Sequence, residues 1–437
     1  MPKLTVLAGR VLQLGCIGML WGCLLPIAVA ASQETLERPV TVAQATTSQR
    51  LAAPRSTVPK STAPGRAGSA PQPIGPAAPA VKPREANDDF AMSGATRSLG
   101  GASAQQSSAP YMVGDFFTSG GQISKSGSAN DNIFFVLAEV PNAGGSRRVK
   151  ISENSSPFPR DRVFYSYNGF NNAIADFQND LILDVQRHTP GFEKSFLDGL
   201  ASFELRTPVA YTQNSDIFLG GGGPSKATEF GNISVSLKTL LWSDDDLAIA
   251  AGLGVNLPTA DDVRLFSNGA RVLTIHNESV HLLPYLGAVW SPSERLFVQG
   301  FLQLDIDANG NAVSDDQAQH AAVLNEQTLM YVDLSIGYWL FRDDQARRLT
   351  GIIPLFEFHY TTTLQDSDLA EVNTQNQGLL TLGNVSNRLD ITNVTAGAHF
   401  RIGQLSLLTV AGCFPLQSGD ERRQFDSELI LQFNRFF

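Results

Sequence analysis

The feature that most constrains the fold is a series of about twelve strand-like segments, from residue 162 to the C-terminus, in several of which apolar and polar residues alternate. A period of two residues is that of a β-strand, whose successive side chains point to opposite faces. Most of the segments approach or exceed the roughly 9–11 residues that a tilted strand needs to cross a bilayer. We therefore predict an all-β chain with about twelve antiparallel strands. The segments lie at residues 162–169, 179–187, 199–207, 230–242, 246–258, 280–291, 294–306, 328–342, 348–361, 388–402, 404–415 and 425–437.

The connections between these segments alternate in length. Tight turns are predicted at residues 243–245, 291–293, 343–347 and 402–404. Long polar loops are predicted at residues 208–229, 259–279, 307–327 and 362–387. Short turns at one end, long loops at the other and an even number of strands are typical of transmembrane β-barrels in bacterial outer membranes. The alternative, a soluble β-sandwich, gives no reason for the two loop lengths to separate in this way.

The last segment, residues 425–437, ends the chain on an aromatic residue, Phe437. Its alternate positions Leu429, Leu431 and Phe433 form an apolar face, as expected for the strand that closes a barrel against lipid. We expect two partners for this strand, namely outer-membrane lipid and the barrel-assembly machinery, which would bind the strand that ends at Phe437.

Extending the alternation to all segments predicts which side chains point into the lumen. These side chains carry charges of both signs, so two interpretations stand. They pair across the interior and stiffen a nearly closed barrel, or they line a narrow path and set its selectivity. Two aromatic side chains predicted to point inward, Phe297 and Phe301, are the one indication of an apolar ligand. The candidates are Asp184, Glu204, Arg206, Lys238, Phe297, Gln299, Phe301, Gln303, Asp305, Glu357, His359, His399 and Arg401.

The N-terminal part of the chain divides into three regions by composition. Residues 1–31 have a positive start, an apolar stretch and small residues at Ala28-Val29-Ala30, the pattern of a secretory signal peptide. Residues 32–110 are rich in Pro, Ala and Ser, and we predict a disordered linker in the periplasm. Residues 111–161 are predicted to be a small cap, or a plug inside the barrel, and residues 162–437 the barrel itself.

Several classes of function are excluded by the residues. A net charge of −10 argues against nucleic-acid binding. The strand histidines His281, His359 and His399 have no serine two positions later, so the His-x-Ser pair of barrel phospholipases is missing. Removal of the signal peptide leaves Cys413 alone, which cannot form a cysteine metal site. We predict no enzyme activity, no catalytic residue, no metal site and no cofactor.

Two motifs carry a family resemblance. Residues 231–238 read GNISVSLK, and residues 253–259, one hairpin later, read LGVNLPT. In this the chain resembles the outer-membrane barrels of the meta-pathway phenol-degradation family, with Asn232 in place of an acidic residue and Ala260 in place of a glycine. The resemblance covers roughly residues 160–437. It implies a channel for small aromatic or otherwise hydrophobic compounds.

Two functions follow as predictions from the sequence. The first is an outer-membrane channel or binding protein for small, hydrophobic or aromatic solutes. The alternative is a barrel that conducts nothing and anchors the linker of residues 32–110 to the envelope.

Overall fold

A computed structural model describes residues 109–115, 121–128, 131–140, 148–384, 388–417 and 424–437. The predicted signal peptide and nearly all of the predicted linker lie outside these residues. Within the described residues, no helix is long and apolar enough to cross a membrane. Of the described residues, 126–128 and 131–135, which are parts of two strands, belong to a separate unit. All other described residues belong to the main unit, which is the subject of the following paragraphs.

Twelve strands of the main unit form a closed antiparallel barrel, as predicted. Strands are numbered β1 to β24 in chain order. Each barrel strand pairs with the barrel strands before and after it in sequence, and the first pairs with the last to close the sheet. The barrel strands are β3 (Arg162–Asp176), β4 (Leu181–Phe196), β5 (Ala201–Arg206), β9 (Ile233–Ser243), β10 (Leu247–Leu257), β13 (His281–Trp290), β14 (Leu296–Asp307), β17 (Thr328–Tyr338), β19 (Leu349–Gln365), β22 (Asp390–Ile402), β23 (Ser406–Pro415) and β24 (Ser427–Phe436).

The two faces of the barrel have opposite polarity. On β24, Glu428 and Gln432 are at most 2% exposed. The residues that directly follow them, Leu429 and Phe433, are 49% and 42% exposed. The same arrangement, with buried polar and exposed apolar side chains, recurs around the barrel. A soluble protein would bury the apolar face instead, so this outer surface is suited to lipid.

The predicted long loops contain strands of their own, which the sequence analysis missed. Five of these strands form one sheet: β7 (Asp216–Leu219), β11 (Val263–Ser267), β12 (Ala270–Ile275), β15 (Asn311–Ser314) and β16 (His320–Leu324). A second sheet consists of β1 (Gln122–Ser128), β2 (Asp131–Glu139), β20 (Ala370–Thr374) and β21 (Gly378–Gly383). The remaining short strands are β6 (Val209–Gln213), β8 (Lys226–Phe230) and β18 (Phe341–Arg342).

These loop strands form because they share an apolar core. Val263, Leu265, Leu273 and Val313 are fully buried and belong to one cluster of packed side chains. The loops are therefore an ordered cap over one end of the barrel and not irregular polar segments. This end is called the cap end below, and the end with the tight turns and Phe437 is called the turn end.

The chain before β3 passes through the barrel twice. Residues 109–115 and 148–161, called the inner segment below, pair with each other through an antiparallel bridge between Met112 and Ser155. Ala109 packs in a cluster with Trp339 at the turn end, whereas Gln122 pairs with Gly383 of β21 at the cap end. The chain thus runs from the turn end to the cap end, where residues 122–125 and 136–140 lie, and returns to start β3.

Candidate functional site: the barrel lumen

Most of the predicted lumen residues lie buried on the inward side of the barrel. Their exposure is 4% or less, with two exceptions, Asp184 and Arg401. Arg401 lies at the turn end, where its Nε donates a hydrogen bond of 2.9 Å to Thr350 Oγ1 and its guanidinium pairs with Asp344. The buried residues are Glu204, Arg206, Lys238, Phe297, Gln299, Phe301, Gln303, Asp305, Glu357, His359 and His399.

The prediction for Asp184 is wrong. Its side chain is exposed, and its neighbours Leu183 and Val185 are the ones that face inward, at 6% and 2% exposure. Both pack in a cluster with Val113 of the inner segment. The interior near the cap end is thus partly apolar, and the expectation that polar side chains point inward fails there.

An ion-pair network near the turn end is centred on Arg162, which is fully buried. Its Nε lies 2.9 Å from Glu193 Oε2, and its Nη2 lies 2.6 Å from Glu204 Oε2. Its Nη1 donates to the side-chain oxygens of Asn434, at 2.6 Å, and Asn154, at 3.2 Å. One guanidinium therefore links strands β3, β4, β5 and β24 to the inner segment.

Two predicted lumen cations complete this network. Lys238 Nζ lies 2.9 Å from Glu193 Oε1, and Arg206 Nε lies 2.6 Å from Glu204 Oε1. The sequence analysis missed Glu193 because it placed the end of this strand at residue 187, whereas β4 continues to Phe196. The predicted alternation also had the opposite phase, with Asp184 inward, so extending it would have placed Phe192 and Lys194 inward instead of Glu193.

A second network joins the inner segment to β17 and β19. Lys150 Nζ lies 2.7 Å from Asp115 Oδ1 and 2.7 Å from Asp333 Oδ1. His359 Nδ1 lies 2.9 Å from the same Asp333 oxygen, and Ser152 Oγ donates to Asp333 Oδ2 at 2.8 Å. All five side chains are buried. Asp333 was missed although the alternation of β17 places it inward.

The same residues have the spacing of a metal site. One ligand atom from each of Asp115, Asp333 and His359 lies within 4.8 Å of the others. The ammonium of Lys150 already contacts both carboxylates, however, and supplies the positive charge that a cation would bring. This cluster is therefore a set of buried ion pairs that holds the inner segment against the barrel wall.

A third network lies around Asp305 of β14. Its Oδ1 lies 2.7 Å from His281 Nδ1, and its Oδ2 accepts a hydrogen bond of 3.1 Å from Tyr331. Arg148 of the inner segment lies 3.5 Å from Asp305 Oδ2 and 2.8 Å from Glu326 Oε2. The inner segment thus meets charged wall residues at three levels of the lumen.

Other wall side chains bind the backbone of the inner segment. The two carboxylate oxygens of Glu357 accept hydrogen bonds from the amides of Val113 and Gly114, at 2.9 and 2.8 Å. Gln303 Oε1 accepts one from the amide of Ile151 at 2.7 Å. Three further side chains donate to backbone carbonyls of the inner segment: Gln299 to Pro110 (2.9 Å), Gln432 to Val113 (2.7 Å) and Arg206 to Lys150 (3.2 Å).

The aromatic pair Phe297 and Phe301 faces inward but is covered. Phe297 lies over Gly337 of β17, where a methyl group would approach the ring to 2.1 Å, and Phe301 lies over Gly287 in the same way at 2.7 Å. Phe297 also clusters with Phe158 of the inner segment, and Phe301 with Met112 and Ile151. In this structure their rings pack against protein.

Comparisons with known proteins add the following. No family model matches the chain, and no curated protein matches it. An outer membrane channel from Pseudomonas putida F1 is 10% identical, with a TM-score of 0.42, 65% of this chain and 97% of that chain covered. The beta domain of the Bordetella autotransporter BrkA is 13% identical, with a TM-score of 0.38 and coverages of 68% and 100%. The NanC porin is 8% identical, with a TM-score of 0.35 and coverages of 63% and 99%.

The resemblance of residues 231–259 to the phenol-degradation family accordingly stays a prediction. The assignment of the chain as an antiparallel β-barrel rests on the closed twelve-stranded sheet and its apolar outer face.

Proposed function

We propose that the protein is an outer-membrane channel for small solutes whose lumen is closed by the inner segment, acting as a plug. The observation that carries this proposal is the chemistry of the wall. Gln299, Gln303, Glu357 and Gln432 are bonded to the backbone of the inner segment. If the inner segment leaves, these groups face the lumen, and a polar passage remains.

The direction of the chain supports a periplasmic origin for the plug. Ala109 lies at the turn end, close to the end where Phe437 stops. In bacterial outer-membrane barrels the short turns face the periplasm. The described chain therefore enters the lumen from the periplasmic side at Ala109.

The solute class is proposed from the covered aromatic pair. Phe297 and Phe301 become part of the lumen surface once Phe158 and Met112 have moved away. A polar passage with two aromatic rings on one strand, four residues apart, suits a small solute with an apolar face, which is the class that the sequence resemblance implies.

The test is single-channel conductance of the Lys150→Met variant in planar bilayers. Without the ammonium, the two buried carboxylates of Asp115 and Asp333 share His359 as their remaining basic neighbour. Removing one partner of a buried ion pair costs about 3–5 kcal/mol. We expect openings that are rare in the wild type to become frequent. Lys194→Met is the control, because Lys194 is 58% exposed and its pair with Asp161 is worth about 0–1 kcal/mol. A folded Lys150→Met barrel that stays as silent as the control contradicts the proposal.

The second candidate is the anchor that conducts nothing. It is favoured by one observation, the density of buried ion pairs around Arg162, which links four strands and the inner segment. A plug that never leaves would need such a network. The anchor predicts silence in every folded variant and a loss of envelope integrity when residues 32–110 are removed.

A further inference from the structure

Two adjacent arginines at the turn end are exposed and lack a charged partner. They belong to the connection between β18 and β19, residues 343–348, which is called the basic turn below. Arg347 and Arg348 are exposed, and neither guanidinium forms a hydrogen bond or ion pair with the described residues. The carbonyl of Arg348 accepts a hydrogen bond of 2.6 Å from the amide of Gly403, which holds this position beside the β22–β23 turn. Two neighbouring positive charges repel each other, so an anion that contacts both relieves the repulsion.

The other charges around the basic turn are already engaged with one another. Arg401 pairs with Asp344, and the same carboxylate lies 3.5 Å from Arg342 Nε. The guanidinium groups of Arg342 and Arg401 also lie 5.0 and 5.1 Å from the ring centre of Trp339. Asp343 Oδ1 accepts a hydrogen bond of 3.0 Å from a backbone amide inside the turn. The two arginines of the basic turn are therefore positive charges in excess of the local acids.

Exposed apolar side chains lie directly beside the basic turn. They come from the β17–β18 connection, from β18, from the start of β19 and from the β22–β23 turn, which lies next to it through the pairing of Leu349 with Ile402. On a transmembrane barrel such side chains face lipid, so the arginines next to them lie at the level of the headgroups. The apolar side chains are Leu340, Phe341, Leu349, Ile402 and Leu405, each between 38% and 63% exposed.

A second tight turn at the same end of the barrel has the opposite charge. The β9–β10 turn consists of Asp244, Asp245 and Asp246. It too lies beside exposed apolar side chains, since Leu241 and Trp242 are 58% and 57% exposed. The two turns thus share an apolar flank and differ in charge. An acidic headgroup is attracted to the basic turn and repelled by the acidic one.

We propose that the basic turn binds the phosphate of an anionic phospholipid, such as phosphatidylglycerol, in the leaflet at the turn end. Guanidinium groups bind phosphate oxygens through paired N–H donors. Clusters of basic residues beside a membrane recognise acidic headgroups in this way. The exposed apolar side chains next to the turn contact the acyl chains of the same lipid. A free phosphate ion would use the arginines alone, whereas a phospholipid uses both parts of the surface.

The experiment is native mass spectrometry of the mature chain, freed of lipid in detergent micelles and titrated with phosphatidylglycerol or with phosphatidylcholine of the same acyl chains. The wild type should bind the first phosphatidylglycerol several-fold more tightly than the first phosphatidylcholine. Each basic residue near a membrane surface contributes about fivefold to the affinity for acidic lipid. Arg347→Gln combined with Arg348→Gln should therefore remove most of this preference and leave the affinity for phosphatidylcholine unchanged.

The matched control removes two arginines from the cap. Arg264→Gln combined with Arg271→Gln changes exposed residues of β11 and β12, and the preference should stay as in the wild type. Exposed side chains contribute little to folding, so both double variants should keep the barrel, which heat-modifiable gel mobility checks. Arg347→Gln alone, with a loss of about fivefold, serves the test if the double variant of the basic turn does not fold.

Three results would overturn the proposal. The first is equal affinity of the wild type for the two lipids. The second is a variant of the basic turn that keeps the preference, or a cap variant that loses it to the same extent. The third is displacement of phosphatidylglycerol by an equal concentration of glycerol 3-phosphate, which would indicate a site for free phosphates. Because the lipid binds outside the barrel, these results do not depend on whether the lumen conducts.

Discussion

Inside the barrel, ion pairs and hydrogen bonds to the backbone hold the inner segment. At the cap end, an apolar core holds the stretch of chain between its two parts. Lys150 and Arg148 meet carboxylates of the wall. Ile123, Ala138 and Val140, by contrast, are at most 3% exposed and pack in the cluster of the loop strands. The two regions resist removal of the chain in different ways.

The difference shows where the plug can be controlled. A buried ion pair is sensitive to the loss of one partner, because the charge that remains is buried and unpaired. An apolar core responds in proportion to the volume removed and is indifferent to charge. If the plug opens, the ion pairs of the lumen are therefore the contacts that a charge change can break, while the apolar core of the cap keeps Ile123, Ala138 and Val140 in place.

The largest effect is expected for Arg162→Met. The change leaves Glu193 and Glu204 with fewer cations and removes a link between four strands and the inner segment. We expect a loss of about 3–5 kcal/mol in the free energy of unfolding. It is measured by urea unfolding in lipid vesicles with tryptophan fluorescence.

The matched control is Arg388→Met. Arg388 Nε also lies 2.8 Å from a carboxylate, that of Asp390, but this pair is more than one third exposed and is worth about 0–1 kcal/mol. Equal losses in the two variants would mean that burial of the Arg162 network adds nothing to stability. The contrast between lumen and cap would then fail.

The second effect is expected in the cap, for Leu380→Ala on β21. Leu380 is fully buried, and its truncation costs about 2–5 kcal/mol locally. Hydrogen exchange should therefore accelerate in β11, β12 and β21 but stay slow in β14. Leu379→Ala, on the same strand with a 44% exposed side chain, should leave exchange nearly unchanged. Acceleration in β14 of the Leu380→Ala variant would show that cap and barrel unfold as one unit.

The barrel itself was predictable from sequence because its strands face two very different environments. Lipid outside and polar groups inside impose strict alternation, as on β14, where Phe297 and Gln303 are buried and Leu296 and Leu304 face outward. The rule fails where the interior becomes apolar, as at Asp184. It also missed Glu193, because β4 continues to Phe196 and because the inward assignment of Asp184 gave the alternation of this strand the opposite phase.

The path of the inner segment was not predictable in the same way. Residues 109–115 and 148–161 are held through backbone groups, which any residue carries, and through ion pairs of Arg148 and Lys150 with partners far away in sequence. Their partners, such as Glu357 and Gln432, look like ordinary lumen residues in the sequence. The loop strands were missed for another reason, since their apolar residues lie in short runs between polar ones.

The smallest effect is expected at the turn end, where Arg401 pairs with Asp344 in an exposed turn. Burial disfavours the charged carboxylate, but the hydrogen bond and charge of Arg401 outweigh it and hold the pKa of Asp344 below its ordinary value. A lowered pKa means that the pair stabilises the fold above about pH 4 and loses this effect as the pH falls through the folded-state pKa.

Asp344→Asn should therefore lower the free energy of unfolding by no more than about 1 kcal/mol at pH 7, since the carboxylate is 49% exposed. The difference from the wild type should vanish in acid. Urea unfolding at pH 7 and at a series of pH values below about 4 follows this decrease, with Asp198→Asn as a control in another turn. A loss as large as that of Arg162→Met would show that exposure does not weaken ion pairs in this barrel. Burial in the lumen would then not be the reason that the inner segment is held.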